Sequence, residues 1–391
     1  MTGAAVIASP SPTSSAAAVS THAPVALRLA WSLPLGKCVD ATPLVLADPA
    51  VAGAQCLCGG AAAGALVVIG SHSGQVKAAS LDTGEEVWAQ HFGCRVESSP
   101  AASADGSLVY IGCHDGWLRA LHTADGSLAW SFDTGDIIKC SPTSATFAAN
   151  TPVLLVGSHA KTLSCLAQST GALVWQWDPG GHIFASPAHV PSAALVFVAT
   201  TAGVVASLTE GGELRWRHNA PAPVFADPAV ANSGSALVVA CVSGTVLGLA
   251  CSSGVQLWQL KLNSAIFSSP CVANHTVHAG SEVVAFGDHS GCITCVRVAC
   301  GTVIWHQSVD RNRATTAYAS PFACSCKGLT VFCVATSCGM LAVLEQVSGA
   351  VVSRALAPGQ VFSSPVMVGD QLLIGCRNDH LLCYKVAVGR D

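Results

Sequence analysis

The closing stretch GQVFSSPVMVGDQLLIGCRNDHLLCYKVAVGRD, residues 359–391, repeats a pattern and then stops short of completing it. An earlier copy, AIFSSPCVANHTVHAGSEVVAFGDHSGCITCVRVACGTVIWHQ (265–307), starts the same way but continues to a tryptophan, Trp305. Pro43, Pro100, Pro142, Pro187, Pro228, Pro270, Pro321 and Pro365 each close a tripeptide of small residues. After each come an apolar run, a turn with Gly or His and a second alternating run, and in the first seven copies a Gly turn and an aromatic position follow. Trp88, Trp130, Trp175, Trp216, Trp258 and Trp305 fill that position, with Ser353 in the seventh copy. A glycine stands four residues earlier in all seven of these copies, from Gly84 and Gly126 to Gly349.

Each copy, about 41 to 57 residues long, reads as four short strands. Alternating apolar residues, β-branched enrichment and Gly/Asp/Asn punctuation are the strand and hairpin signals. The recurrent glycine suits a turn that needs positive φ, which a residue with a Cβ resists. Four-stranded units repeated radially make a β-propeller. The last copy supplies only three strands, while VALRLAWSLPLGKCVD near the chain start carries Trp31 with no unit before it. The expectation is an all-β, eight-bladed propeller over residues 26–388, its ring closed by the N-terminal strand. Closure of this kind removes an open sheet edge. The tryptophans then read as core: a buried indole removes roughly 150–250 Å² from water, on the order of 4–6 kcal/mol at most.

Composition narrows the function classes. The chain of 391 residues is 51% hydrophobic and only 10% charged, with a net charge of −4. That leaves no basic footprint for nucleic acid and no polybasic stretch for an anionic membrane. The longest run without a polar side chain, Cys56 to Gly70, is 15 residues of mostly Gly and Ala, too short and slight to span a bilayer. Nineteen cysteines, an odd number, sit inside apolar runs and read as buried thiols of a reducing, cytoplasmic setting. Residues 1–25, rich in Ala, Ser, Pro and Thr and free of charge, read as a disordered leader or linker. They carry no secretory n-region; organelle targeting stays open. The inserted DPAVAGAQCLCGGAAAG (48–64) reads as a surface loop.

The pattern Ala78…Thr83-Gly84…Trp88, with no Asp after the Trp, resembles the repeat of pyrroloquinoline-quinone (PQQ) proteins. WSLPLGKCVDATPLV, IGSHSGQVKA, VFSSPV and LLIGCRNDHLLCY together resemble, over roughly residues 27–386, the C-terminal propeller of the β-alanine-activating enzyme family. The resemblance implies a propeller that follows an adenylate-forming domain and a carrier domain. This sequence holds no phosphate loop ending in Lys and no Gly-Gly-x-Ser for a phosphopantetheine, so no catalytic residue is assigned. A quinoprotein resemblance would imply an adjacent-cysteine disulfide and calcium-binding acids; there is no Cys-Cys dipeptide, and neither PQQ nor another cofactor is expected. A PQQ-dependent oxidoreductase is the alternative reading. A third is an assembly factor like the bacterial outer-membrane lipoproteins with similar repeats, against which the missing lipobox speaks.

The candidate site is the position three before each repeat proline: Asp40, Glu97, Lys139, Phe184, Phe225, Phe267, Tyr318 and Phe362. These residues enter the innermost strands, so a closed ring gathers them at one mouth of the central channel. Three adjacent blades supply charge and five supply aromatic faces. Such a ring can clamp an amino-acid-derived ligand or dock an adenylating or carrier domain. It can also plug the channel, with its charges neutralising one another. His72, His114, His159 and His289 recur in the turn between the second and third strands, on separate blades and too far apart for a metal. Cys292-Ile-Thr-Cys295 places its thiols on opposite strand faces, Cys324-Ser-Cys326 lacks a partner pair, and the sequon at Asn274 is a chance-level match. No metal site is expected.

Overall fold

The computed structural model describes residues 25–46, 64–275, 281–310, 315–326 and 329–388. Residues 1–24 and most of the inserted loop lie outside it, as does part of the sequon. Eight four-stranded antiparallel sheets stand around an axis. Blade 1 comprises Leu44–Leu46, Leu66–Gly70, Gln75–Ser80 and Glu86–His91, from the axis outward. Blades 2 to 7 repeat this order. Blade 8 takes its three inner strands, Val366–Val368, Gln371–Cys376 and His380–Val388, from the chain's end and its outer strand, Val25–Pro34, from the start. The two ends pair in antiparallel register, with Trp31 opposite Cys383 and Pro34 opposite His380. The ring therefore closes as the sequence predicts. Among the described residues, no helix is long and apolar enough to cross a membrane.

Eight clusters of buried residues fill the eight joints between blades. Val68, Ile69 and Val109 exemplify the contributions of second strands, which are buried on both faces. Outer strands carry one further device. In every blade the register slips by one residue just before the tryptophan position, as where Ala78 faces Trp88 but Ala79 faces Glu86. A bulge of this kind re-aims a side chain: Glu86 and Val87 both face solvent, and Trp88 turns inward.

The indole then reaches the next blade. Trp88 donates its Nε1–H to the carbonyl of Thr123 at 2.8 Å, Trp216 to Cys251 at 2.7 Å and Trp305 to Gln346 at 2.8 Å. Trp31 makes the equivalent bond from blade 8 to Leu81 of blade 1 at 3.0 Å. The recurrent glycine lies under the same ring. Its φ is positive, 72° at Gly126, and an added Cβ there would lie 2.5 Å from Trp88 Cε3. So the glycine serves both the turn and the close approach of the neighbouring indole. Seven joints carry this latch. The eighth, between blades 7 and 8, faces the two chain ends rather than a turn; Ser353 stands there, and Leu27 packs against the cluster with Val352 and Ala355.

Two glycines with the same φ of 72° separate the two roles. An added Cβ at Gly106 meets nothing within 4 Å, whereas one at Gly126 strikes Trp88. Gly106→Ala should cost about 1 kcal/mol from backbone strain alone. Gly126→Ala should cost at least 2 kcal/mol more, of the size expected for overpacking. Denaturant unfolding of both variants checks this; equal losses would remove the contact from the account.

Candidate functional site at the channel mouth

The backbone places two side chains per blade at one mouth. The amide of the residue that opens the second turn donates to the carbonyl two residues before the first-strand position. His72 donates to Cys38, His114 to Arg95, His159 to Ile137, and so on around to Ser337 to Thr316 and Arg377 to Gln360. All eight positions named from the sequence do form one ring, and each is half-buried. The turns carrying His72, His114, His159 and His289 lie on separate blades and interleave with that ring, a contact with the first-strand residues that the sequence pattern alone does not show. The cause is the antiparallel pairing of first and second strands, which brings a strand start and a strand end to the same rim.

The charged arc is mutually compensated. The Arg377 guanidinium grips both oxygens of Asp40, at 2.9 and 2.6 Å. Glu97 lies between four groups: Arg95, Lys139 and His114 at 3.2 Å each and His72 at 3.4 Å. His72 also comes within 3.2 Å of Asp40. The imidazole approaches are close but misaligned, because the Nε2 atoms of His72 and His114 make no hydrogen bond. Burial alone would raise the Glu97 carboxyl, but His114 and Lys139 outweigh it and hold it at about 2. Asp40 is likewise lowered, its burial outweighed by Arg377 and His72.

The aromatic arc continues without a break. Lys139 sits 5.3 Å over Phe184; Phe184–Phe225, Phe225–Phe267, Phe267–Tyr318 and Tyr318–Phe362 have centroids 4.9, 5.5, 5.6 and 5.0 Å apart. The Arg377 guanidinium then covers Phe362 at 3.7 Å and returns the belt to Asp40. His159 packs on Phe184, and His289 stacks on Phe267 and meets Tyr318 edge-on. Both imidazoles bury Nε2 without a partner, and burial lowers their affinity for a proton. Arg377 and these histidines are the mouth residues that the first-strand position does not reveal. Their signal is the aligned turn, SHSG, CHDG and CRND in three copies. Beside His289 a cavity of about 590 Å³ runs outward between blades 5 and 6, past Lys261, Asp288 and His306.

Below the mouth, the residue before each proline ties neighbouring blades together. Thr42 donates its N–H to the Ser99 hydroxyl at 2.9 Å, Ser269 to Ser320 at 2.9 Å and Ser320 to Ser364 at 2.9 Å. Ser186 donates instead to the Asp227 carboxylate at 2.5 Å, and burial raises that carboxyl. This belt explains the small residues of the repeated tripeptide. Elsewhere, Cys324 lies 3.9 Å from Cys333 and 3.4 Å from Met367, and no disulfide joins the described cysteines.

Glu97 makes the charged arc pH-dependent. A carboxyl held below its ordinary value stabilises the fold above that value and loses the effect as pH falls through the folded one. The window thus runs from 4.5 down to about 2. The stability difference between the wild type and Glu97→Gln should shrink by on the order of 2–3 kcal/mol across it. Urea unfolding at stepped pH reads the difference; a constant gap would contradict the arrangement.

The family model for the β-propeller of the β-alanine-activating enzyme matches residues 35–386. Relatives named β-alanine-activating enzyme include one from Danio rerio, 31% identical over 107 residues, or 27% of this chain and 9% of the relative. Another, from Mus musculus, is 36% identical over 118 residues, 29% of this chain and 10% of the relative. The matched stretches thus span about a tenth of those proteins. Among solved structures, BamB from Moraxella catarrhalis is 19% identical, covering 93% of this chain and 99% of that one with a TM-score of 0.68. The computationally designed Ika8 protein is 15% identical, covering 92% and 99%, also at 0.68. These two share the fold. With its eight blades, N-terminal closing strand and family match from Leu35 to Val386, the chain belongs to the β-propeller family of the β-alanine-activating enzyme.

Proposed function

We propose that this propeller is a non-catalytic docking module of an acyl- or amino-acid-activating system. Its channel mouth would receive an adenylating or carrier domain. The supporting observation is the mouth itself: five aromatic side chains and three charged ones in one belt closed by Arg377, every member half-buried. Aromatic residues and arginine dominate the binding energy of protein interfaces, and a charged flank fixes orientation. Belt members already satisfy one another, so a partner gains apolar faces without leaving a buried charge unpaired. The family resemblance supplies the kind of partner, since it joins such a propeller to adenylate-forming and carrier domains.

Binding is measured between the purified chain and separately expressed carrier and adenylating domains of a β-alanine-activating enzyme. One of them should bind, and Phe267→Ala or Lys139→Ala should weaken Kd by about tenfold or more. Melting curves confirm that both variants fold. Undiminished binding by both variants would remove the mouth as the docking surface. Binding of β-alanine alone, with no domain bound, would transfer the site to a small ligand.

A further inference from the structure

One triad at the first joint has chemistry that the mouth does not use. Cys94 lies on the connection into blade 2, and Cys113 and Asp115 lie in that blade's second turn. Their two sulfurs and a carboxylate oxygen all fall within 4.8 Å of one another. We propose that Cys94, Cys113 and Asp115 form a binding site for a thiophilic divalent cation, zinc foremost, with one coordination position left open.

The donor set and its spacing carry the assignment. Two thiolates and a carboxylate suit zinc over the hard cations, which prefer all-oxygen sites. Tetrahedral zinc, with about 2.3 Å to sulfur and about 2.0–2.2 Å to oxygen, needs ligand atoms about 3.5–4 Å apart. Small side-chain rotations bring atoms now within 4.8 Å to that separation. Cys113 is buried, Cys94 half-buried and Asp115 exposed, a gradient that gives an ion its entry path. Asp115 is oriented from behind: Trp117 N–H donates to it at 3.1 Å, and Arg119 holds both its oxygens, at 3.1 and 2.5 Å. Arg119 is itself seated 4.7 Å over the Phe92 ring. Two thiolates, a carboxylate, a divalent ion and this guanidinium sum to zero formal charge, the two thiol protons leaving to solvent.

Comparison with other blades shows that the fold does not need this set. At the same three positions blade 6 has Ser264, Asp288 and Ser290, and blade 7 has Thr315, Thr336 and Cys338. Those groups close the turn by hydrogen bonds among themselves, as Ser290 does to Asp288 and Cys338 to Thr315. The turn of blade 1 packs against the same spot: a Cβ at Gly74 would lie 2.6 Å from the Cys94 carbonyl oxygen. A bound ion would therefore fasten the connection entering blade 2 to that blade's turn, next to His114 and Glu97.

The reduced, metal-stripped chain is titrated with Co²⁺, and Zn²⁺ then competes. With 19 cysteines present, the reading is a difference between proteins. The wild type should show thiolate-to-cobalt charge-transfer bands for one tight equivalent, displaced by zinc, and a zinc-dependent rise in melting temperature. Cys94→Ser and Cys113→Ser should each lose that equivalent, while Cys241→Ser keeps it. Cys94 is less buried than Cys113, so its variant carries the test if Cys113→Ser does not fold. Equal cobalt binding by the wild type and Cys94→Ser would overturn the proposal. So would a reduced wild type that binds no equivalent while forming a Cys94–Cys113 disulfide in air.

Discussion

The indole that crosses to the next blade at seven of the eight joints is the interaction on which the rest of this structure depends. A four-stranded antiparallel sheet cannot bury both faces by itself, and a chain with 10% charged residues has little else to hold sheets in a ring. Trp88 shows how the joint is made. A one-residue bulge turns the indole out of its own sheet, a glycine without Cβ clears the landing place, and a carbonyl of the next blade accepts the N–H. That bond matters because a buried indole N–H left without an acceptor would forfeit part of what its burial contributes. At the joint where chain ends replace the turn, both halves of the latch change together: there is no turn glycine, and Ser353 replaces the tryptophan.

Ring closure also accounts for the mouth. Amide-to-carbonyl bonds between the second turn and the first strand recur around all eight blades. The serine belt beneath ties successive blades through further backbone amides. Main-chain groups at the rim are thus satisfied by main chain and hydroxyls, whatever side chain stands above them. This leaves the two outward positions of each blade free to diverge, and they have done so: carboxylate, ammonium, guanidinium, imidazole and phenyl groups occupy equivalent places. The specialised residues sit on a scaffold that does not rely on them.

Much of this was legible in the sequence because a repeat states its own register. The spacing of Pro, Gly and Trp set the strand order, and the orphan Trp31 beside a copy lacking its outer strand set the closure. The eight mouth residues followed from a single offset to each proline. What remained hidden were relations between offsets. His72 and Arg377 belong to a turn separated in sequence from Asp40, and only the pairing of first and second strands brings them to the same carboxylate. The histidine turns were legible one by one, but not their contact with the first-strand residues. The glycine was legible as a turn residue but not as the floor under a neighbouring indole. Cys94 and Cys113 escaped notice for a like reason: metal motifs are sought at short spacings, and this pair meets across two strands and the turn between them.

Native-state hydrogen exchange of the closing strand tests the account most directly. If Val25–Pro34 completes blade 8 and latches blade 1 through Trp31, the amides of this strand that bond to His380–Val388 should exchange only with global unfolding. Their opening free energy should match that of the inner strand Gln371–Cys376 in the same blade. If those amides exchange at rates typical of a frayed terminus while the inner strand stays protected, the ring is not closed by this strand. The joint between the chain ends, and the mouth geometry built on it, would then have to be redrawn.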